Sequence, residues 1–140
     1  MGLSMSTTRQ PRAKILVIDD DTSMLVLIKR QLENAGYAVL LAEDGIEGGH
    51  LALNVSPDLI LVDVHMPYLS GYELVEVLKT DSATWDIPVV FLTSDKHVEE
   101  RTRMLRAEAY LRKPLNTERL LEVVELFTPG AAHLSTHHRS

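Results

Sequence analysis

The chain has 140 residues, a formal net charge of −6 and a hydrophobic content of 45%. A chain of this length forms one domain, and its hydrophobic residues suffice for a single core. The acidic balance argues against nucleic acid as a direct partner, and the lack of cysteine excludes disulfides and thiol chemistry. No apolar segment approaches the roughly 20 residues that span a bilayer, and residues 1–12 lack the apolar segment of a signal peptide. We therefore expect a cytoplasmic protein without a membrane partner.

Strands and helices alternate along the chain. The predicted strands are residues 14–18 (β1), 37–42 (β2), 59–62 (β3), 89–92 (β4) and 110–111 (β5). The predicted helices are residues 22–35 (α1), 45–55 (α2), 71–79 (α3), 96–106 (α4) and 116–127 (α5). Five β-α units this short predict a doubly wound α/β fold, in which a five-stranded parallel sheet carries helices on both faces. This domain covers residues 12–127, between a flexible leader (1–11) and a flexible tail or linker (128–140).

Two helices carry apolar stripes that predict which side faces the sheet. In α5 the apolar residues recur at i, i+3, i+4 and i+7: Leu120, Val123, Val124 and Phe127. In α1 five apolar residues follow one another from Met24 to Ile28. Because a helix packed by one stripe buries about half of such a run, we assign Met24, Leu27 and Ile28 to the core. The same assignment turns Leu25 and Val26 toward solvent.

Polar residues follow four of the predicted strands, at the point where each strand ends. Asp19 and Asp20 follow β1, Asp63 follows the apolar run of β3, Thr93 follows β4, and Lys113 follows β5. The carboxyl ends of parallel strands meet at one edge of a sheet, where open α/β sheets bind ligands. The sequence therefore predicts a site at this edge, built from carboxylates, a hydroxyl and an ammonium group.

This combination of groups permits phosphoryl chemistry. Two carboxylates 4 Å apart repel each other by about 4 kcal/mol at an effective dielectric constant of 20, so the cluster favours a bound cation. A few carboxylate oxygens together with phosphate oxygens suit Mg²⁺. A carboxylate beside such an ion can attack phosphorus and form an aspartyl phosphate. A hydroxyl from Thr93 and an ammonium from Lys113 would then bind the phosphoryl oxygens.

Four sequence segments carry these residues, and together they resemble the receiver domain of response regulators. The segments are VIDDD at 17–21, DVHMP at 63–67 with LSG at 69–71, LTS at 92–94, and YLRKP at 110–114. Any one segment alone is weak, but all four in order, each at a strand end, are specific. Receiver domains are the phosphoacceptor half of two-component signalling, and the resemblance covers residues 12–127.

The resemblance implies a flavodoxin-like receiver fold with strand order 2-1-3-4-5, and it implies a role for each carboxylate. Asp63 would be the phosphoacceptor. Asp20 and Asp63 would bind Mg²⁺ directly, together with the backbone carbonyl of His65, and Asp19 would act on the ion through water. The next acidic residue, Asp21, is better explained as a helix-start residue of α1 than as a ligand.

The resemblance also implies the phosphoryl-binding and switch residues. Thr93 and Lys113 would bind the phosphoryl group, and Tyr110 would be the aromatic switch residue whose burial follows Thr93. The bond between Lys113 and Pro114 is expected to be cis, as it usually is in the family. The implied partners are a sensor histidine kinase or phosphotransfer protein and a downstream output protein or domain. A homodimer through α4-β5-α5 is a further expectation.

On this interpretation the chain is a phosphoacceptor signalling domain and not an enzyme. Three alternatives compete with it. A Mg²⁺-dependent phosphohydrolase with an aspartyl nucleophile would need a general acid at the position of His65. A flavodoxin-like cofactor binder would need a phosphate loop after β1, where three aspartates stand instead. A phosphorylation-independent scaffold would have no need for the complete set of site residues.

Two features qualify the resemblance. Receivers usually have a Gly-Ala step before β5, but the segment from Leu105 to Tyr110 contains no glycine. The stretch from Thr93 to Lys113 is also short by about half a helical turn, so α4 or the loop after it must be trimmed. A docking expectation follows from α1, because its first turn adjoins the predicted site. We expect Leu25 to form an apolar contact with the helical bundle of the phosphodonor.

Overall fold

A computed structural model describes residues 11–129 of the chain. The strands are β1 (Lys14–Ile18), β2 (Ala38–Ala42), β3 (Leu59–Asp63), β4 (Val89–Thr93) and β5 (Ala109–Arg112). The helices are α1 (Thr22–Asn34), α2 (Gly45–Val55), α3 (Gly71–Thr80), α4 (Val98–Leu105) and α5 (Thr117–Leu126). All ten predicted elements are present, with ends that differ by at most two residues. Residues 1–10 of the predicted leader and 130–140 of the predicted tail lie outside the described residues. Within 11–129 no helix is long and apolar enough to cross a membrane.

The five strands form one parallel sheet in the order β2-β1-β3-β4-β5. This confirms the predicted doubly wound α/β fold. Ile18, the last residue of β1, pairs with Ala42 on one side and with Val62 on the other. Between β4 and the outermost strand β5, the last residue of each strand pairs with the other, Thr93 with Arg112. The strands therefore end almost level, and the residues that follow them meet at one edge of the sheet.

Helices cover both faces of the sheet, and alternate strand residues supply two separate apolar clusters. The first face packs against α1 and α5 with Ile15, Val17, Leu59, Leu61, Val90 and Leu92. The second face packs against α2, α3 and α4 with Leu16, Ile18, Ile60, Val62, Val89 and Phe91. Because successive side chains of a strand point to opposite faces, the central strands are apolar at nearly every position. The predicted face of α5 is confirmed, since Leu120, Val123 and Val124 are buried.

The structure corrects the predicted orientation of α1. Leu25 has only 2% of its surface exposed, whereas Leu27 is 48% and Val26 is 53% exposed. The buried stripe runs through Leu25, Ile28 and Leu32, at i, i+3 and i+7. Ile28 fits both possible stripes, so the sequence alone did not separate them. Leu25 is a core residue, and the expected docking contact at Leu25 is wrong.

The helix termini near the site are fixed by side-chain caps. The Asp21 carboxylate caps α1 by accepting hydrogen bonds from the backbone N–H groups of Ser23 and Met24, as expected for a helix-start residue. Ser70 and Glu73 form a reciprocal capping box at the start of α3. Each cap satisfies backbone donors that the first turn of a helix leaves free. The helices that border the site therefore begin at defined residues.

The segment between α4 and β5 lacks the glycine that receivers usually have before β5, and an arginine takes the corresponding backbone conformation. Helix α4 has eight residues, and Arg106 follows it in the left-handed conformation with φ of 63°. This conformation normally favours glycine, because a Cβ crowds the backbone there. The strained position is occupied by an arginine.

Candidate functional site

Three carboxylates meet at the carboxyl edge of the sheet. Asp19 and Asp20 follow β1, Asp63 ends β3, and one ligand oxygen from each lies within 4.8 Å of the others. Asp19 has no exposed surface and Asp63 only 6%, whereas Asp20 is exposed. The pairing of Ile18 with Val62 sets the two strand ends side by side. The expected acidic cluster therefore exists in the structure.

Asp63 sits in surroundings that disfavour its charge. Its Oδ1 accepts a hydrogen bond of 2.8 Å from the Val64 backbone N–H, and its Oδ2 lies 3.6 Å from the Lys113 ammonium. Burial and the neighbouring Asp19 carboxylate raise the pKa of Asp63 to about 6, although Lys113 acts in the opposite direction. Additional positive charge at this position would favour the carboxylate form.

Lys113 joins the end of β5 to the acidic cluster. Its ammonium donates a 3.0 Å hydrogen bond to Oδ2 of Asp19, and its backbone N–H donates to the Thr93 carbonyl at 3.1 Å. Burial alone would lower the pKa of Lys113, but the hydrogen bond to Asp19 and the charge of Asp63 outweigh it and raise that pKa. The peptide bond to Pro114 is cis, as expected. Lys113 is thus a charged donor facing two carboxylates.

Thr93 and Tyr110 occupy neighbouring strands, but only Thr93 lies at the edge that carries the site. Thr93 is fully buried at the end of β4, and its hydroxyl oxygen accepts a 3.2 Å hydrogen bond from the Asp95 backbone N–H. Tyr110 is half-buried in β5, where it pairs with Phe91. The Arg112 guanidinium lies 5.5 Å from the centre of its ring.

Asp95 is a polar residue of the site that the sequence analysis missed. Its Oδ2 accepts a 2.8 Å hydrogen bond from the Tyr72 hydroxyl, and its Oδ1 lies 3.6 Å from Nε2 of His65. The Arg112 guanidinium donates to its backbone carbonyl at 3.1 Å. The hydrogen bond from Tyr72 holds the pKa of Asp95 below its usual value. The available signal was an acidic residue two positions after Thr93.

Gly71 brings the start of α3 against the backbone of Asp63. Its N–H donates a 2.8 Å hydrogen bond to the Val64 carbonyl. A Cβ at this position would collide with the backbone oxygen of Asp63. The residue must therefore be glycine for α3 to approach the site this closely. The sequence contained this glycine in the LSG segment, but spacing alone did not indicate its role.

The donor set fits a divalent cation. The single Lys113 ammonium compensates only one of the three carboxylates that meet here. Carboxylate oxygens are the ligands that Mg²⁺ prefers in proteins. Burial, and then the nearby Asp19 carboxylate, raise the pKa of Asp63, so a bound cation would favour its charged form. Asp19, Asp20 and Asp63 could therefore hold such an ion, while the side chain of His65 turns away toward Asp95 and is 65% exposed.

Comparison with known proteins agrees with this geometry. Residues 15–125 match the response regulator receiver domain family. The chain is similar to the DNA-binding dual master transcriptional regulator RpaA of Synechocystis, with 39% identity over 110 residues, which is 77% of this chain and 46% of that protein. It is also similar to the polar-differentiation response regulator DivK of Brucella anthropi, with 33% identity over 84% of this chain and 97% of that protein. The chain thus spans about half of some relatives and nearly all of others.

Solved structures give the same assignment. The chemotaxis protein CheY4 of Vibrio cholerae superimposes with a TM-score of 0.77 and 32% identity, over 82% of this chain and 98% of that one. The receiver domain of the sensor histidine kinase PA1611 from Pseudomonas aeruginosa, solved with magnesium in its active site cleft, gives a TM-score of 0.76 and 26% identity over 82% and 96%. From its sequence match, fold and acidic edge, the chain belongs to the response-regulator receiver domain family.

Proposed function

We propose that this receiver accepts a phosphoryl group on Asp63 from a histidine kinase or phosphotransfer protein. The observation that carries the proposal is the burial of Asp63 beside two further carboxylates and the Lys113 ammonium. A merely structural role would not require three carboxylates to converge against their mutual repulsion. The proposal also accounts for the position of the cluster at the carboxyl ends of the strands, where open α/β sheets bind ligands.

The two oxygens of Asp63 have different surroundings, which assigns them different roles. Oδ1 is held by the Val64 N–H, whereas Oδ2 faces Lys113. Oδ2 is therefore the proposed nucleophile. It forms the new bond to phosphorus while the bond from phosphorus to the donor histidine nitrogen breaks, and the bonding electrons leave with that nitrogen. The Lys113 ammonium stabilises the charge on the phosphoryl oxygens.

Magnesium would be held by Asp20 and Asp63 directly, by the backbone carbonyl of His65, and by Asp19 through water. When bound, the ion neutralises carboxylate repulsion and the charge on the phosphoryl group. The Thr93 hydroxyl and the Lys113 ammonium, at the ends of the adjacent strands β4 and β5, would orient the phosphoryl group of the phosphodonor. Together they define where the phosphoryl oxygens would rest.

Phosphorylation would then change the α4-β5-α5 surface. The Thr93 hydroxyl would donate to a phosphoryl oxygen, and its movement toward that oxygen would take it away from the Asp95 N–H, from which it accepts a hydrogen bond. The loop before α4 would lose that contact, and Tyr110 in the neighbouring strand would follow. A downstream output protein or domain would read this change, and a homodimer through the same surface is the related proposal. The chain would act as a switch and not as a self-sufficient enzyme.

The direct test is phosphorylation by a small donor. Purified protein is treated with acetyl phosphate or phosphoramidate, with Mg²⁺ or with EDTA, and the intact mass is measured. The expected product carries one phosphoryl group, forms only with Mg²⁺ and is absent in Asp63→Asn. Asp86→Asn is the matched control, because Asp86 is exposed and precedes β4 at the opposite edge of the sheet. Labelling that persists in Asp63→Asn or in EDTA would overturn the proposal.

A second test separates acceptance from switching. Thr93→Ala should still be labelled on Asp63, but the spectroscopic change that follows phosphorylation or beryllofluoride addition in the wild type should be lost. Lys113→Ala should lose the same spectroscopic change and should be labelled more slowly, because it lacks the ammonium that stabilises the phosphoryl oxygens. Circular dichroism checks that both variants remain folded. A wild-type conformational response in both variants would show that neither side chain couples the site to the surface.

A further inference from the structure

An apolar groove lies between α2 and α3, on the second face of the sheet and apart from the residues of the acidic site. It encloses about 210 Å³. Two of its α2 residues, Ile46 and Leu53, and one of its α3 residues, Val77, are each about half exposed. Exposed apolar residues are common singly, but these three border one cavity. A grouped apolar surface of this kind marks an interaction site more often than scattered residues do.

The lining follows helical spacing on both sides. On α2 it includes Ile46, Gly49, His50 and Leu53, at i, i+3, i+4 and i+7. On α3 it includes Leu74, Val77 and Leu78, and Asp81 lines the groove just beyond the end of that helix. Residues at these spacings lie on one side of a helix. The groove therefore lies between one face of α2 and one face of α3, an arrangement in which an amphipathic helix can dock by its apolar stripe.

Two adjacent glycines of α2 differ in what they contact. A Cβ at Gly48 would lie 2.5 Å from Cδ1 of Ile18, so the packing of α2 on β1 requires glycine there. A Cβ at Gly49 would meet only Cδ1 of Leu74, at an ordinary 3.4 Å. Glycine inside a helix costs roughly 1 kcal/mol relative to alanine. The packing around Gly49 does not require glycine, so this residue lowers helix stability with no gain in packing. Because Gly49 has no side chain, the groove is deeper at this position.

The charged residues of the two helices that form the groove, and of their caps, are mostly negative, and one of them, Asp81, lines the groove itself. The two helices with Asp44 and Asp81 at their ends carry five carboxylates: Asp44, Glu47, Glu73, Glu76 and Asp81. Their single lysine, Lys79, turns away and binds Glu108 at 3.2 Å. A second copy of this chain would bring the same negative charges together, which disfavours self-association through the groove. An occupant with basic residues beside an apolar stripe is complementary to it.

We propose that the α2-α3 groove binds a basic amphipathic helix of a partner protein. Aliphatic side chains of that helix would fill the space above Gly49, between Leu53 and Val77, and its flanking lysine or arginine residues would face the acidic rim. This interaction is independent of phosphoryl transfer at Asp63, because no residue of the acidic site lines the groove. It gives the domain a second partner surface, distinct from α4-β5-α5.

The test uses a synthetic helical peptide with leucines at i, i+3 and i+7 and lysines on both flanks. Binding is followed by the emission of Trp85, the sole tryptophan of the chain, which is 59% exposed. Its backbone N–H donates to the carbonyl of Asp81, a residue that lines the groove. The wild type should bind this peptide, and the same peptide with glutamate in place of lysine should bind at least tenfold more weakly. Equal binding of the two peptides would overturn the proposal.

Two variants locate the binding site. Gly49→Leu fills the groove and should lower affinity for the lysine peptide about tenfold or more, while its melting temperature is maintained or raised. Glu76→Lys, beside Val77, should weaken binding several-fold and reduce its salt dependence. Glu122→Lys on α5 is the control and should bind as the wild type does.

Other occupants give different results. Loss of self-association in Gly49→Leu, seen by analytical ultracentrifugation, would replace the proposal with a dimer through the groove. Binding to anionic phosphatidylglycerol vesicles that Gly49→Leu abolishes, without peptide binding, would replace it with a lipid surface. Peptide binding that Gly49→Leu leaves unchanged would also overturn it.

Discussion

The two faces of the sheet are covered in different ways. On the first face, α1 and α5 contain no glycine, and each presents a continuous stripe of large apolar side chains. On the second face, α2 and α3 contain four glycines, Gly45, Gly48, Gly49 and Gly71. Three of these have neighbours so close that a Cβ would meet them at 3.0 Å or less: Gly45, Gly48 and Gly71.

The first face of the sheet therefore contributes mainly to the stability of the domain, and the second face also positions the backbone of the site. Large side chains on the first face bury area and hold the domain together. Glycines on the second face contribute little burial, but they let backbone approach backbone, most closely where Gly71 meets Asp63. We therefore expect variants of the first face to change stability alone, and a variant of Gly71, which contacts the Asp63 backbone, to change the site as well.

The largest expected effect lies on the first face. Leu25→Ala removes a fully packed side chain and should lower the free energy of unfolding by about 2–5 kcal/mol. Leu27→Ala, two positions away and half exposed, should lower it by less than about 1 kcal/mol. Urea unfolding of the two variants measures the contrast. Equal losses would contradict the observed orientation of α1. Labelling of Asp63 by acetyl phosphate should be retained in both.

The orientation of α1 could not be predicted from the sequence. A run of five apolar residues matches two helical stripes, one starting at Met24 and one at Leu25. Both stripes satisfy the same periodicity, and only contacts with β-strands and α5 decide between them. By contrast, Glu122 and Glu125 interrupt the apolar residues of α5. Leu120, Val123 and Val124 could therefore be assigned to the core without tertiary information.

The next effect concerns Asp63, between the two faces. Its pKa is raised from 3.8 to about 6, so the folded state binds a proton more tightly than the unfolded state. The stability contributed by this group is present below about pH 4 and is lost as the pH rises through about 6. A shift of this size corresponds to at most about 3 kcal/mol.

Urea unfolding in EDTA, between pH 4 and pH 7, measures this dependence. Asp63→Asn should remove the component of the pH dependence that belongs to Asp63 and should unfold at higher urea than the wild type at pH 7. Added Mg²⁺ should stabilise the wild type at pH 7 more than the variant. If the variant and the wild type show parallel pH profiles, burial does not raise the pKa of Asp63.

A variant of Gly71, on the second face, should have a smaller effect on stability than Leu25→Ala but a larger effect on phosphorylation. Gly71→Ala forces the start of α3 away from the Asp63 backbone and should cost about 1–3 kcal/mol. Because that movement displaces the acceptor, phosphorylation by acetyl phosphate should slow by tenfold or more. Gly49→Ala is the matched control, since its Cβ has room, and its labelling rate should equal that of the wild type. An unchanged rate in Gly71→Ala would show that the close approach does not position Asp63.

The site residues illustrate the same limit on prediction. Asp19, Asp63, Thr93 and Lys113 could be identified because each follows a strand, and parallel strands end together. The contacts of Asp95 and Gly71 depend on how the loops after β4 and β3 fold back. No periodicity encodes those loops, so their residues could be recognised only in three dimensions.

The smallest expected effect is at the end of α4. Arg106→Gly relieves the left-handed conformation of this residue and should raise the free energy of unfolding by about 0.5–1 kcal/mol. Arg103→Gly, in the last turn of the same helix, should lower it by about 1 kcal/mol. Because the two changes in the free energy of unfolding have opposite signs, the gain in Arg106→Gly can be assigned to relief of backbone strain and not to the loss of an arginine side chain. Thermal unfolding of the two variants provides the measurement.

Helix α3 has a mechanical consequence that follows from its two ends. Its first residue, Gly71, is bonded to the loop behind Asp63. At its other end, Lys79 donates to the Ile87 carbonyl at 3.1 Å and to Glu108, whose Oε1 also accepts a 2.7 Å hydrogen bond from the Val89 N–H. The helix is thus anchored at opposite edges of the sheet, about 15 Å apart. A rigid shift of α3 would move the acceptor loop and the start of β5 together.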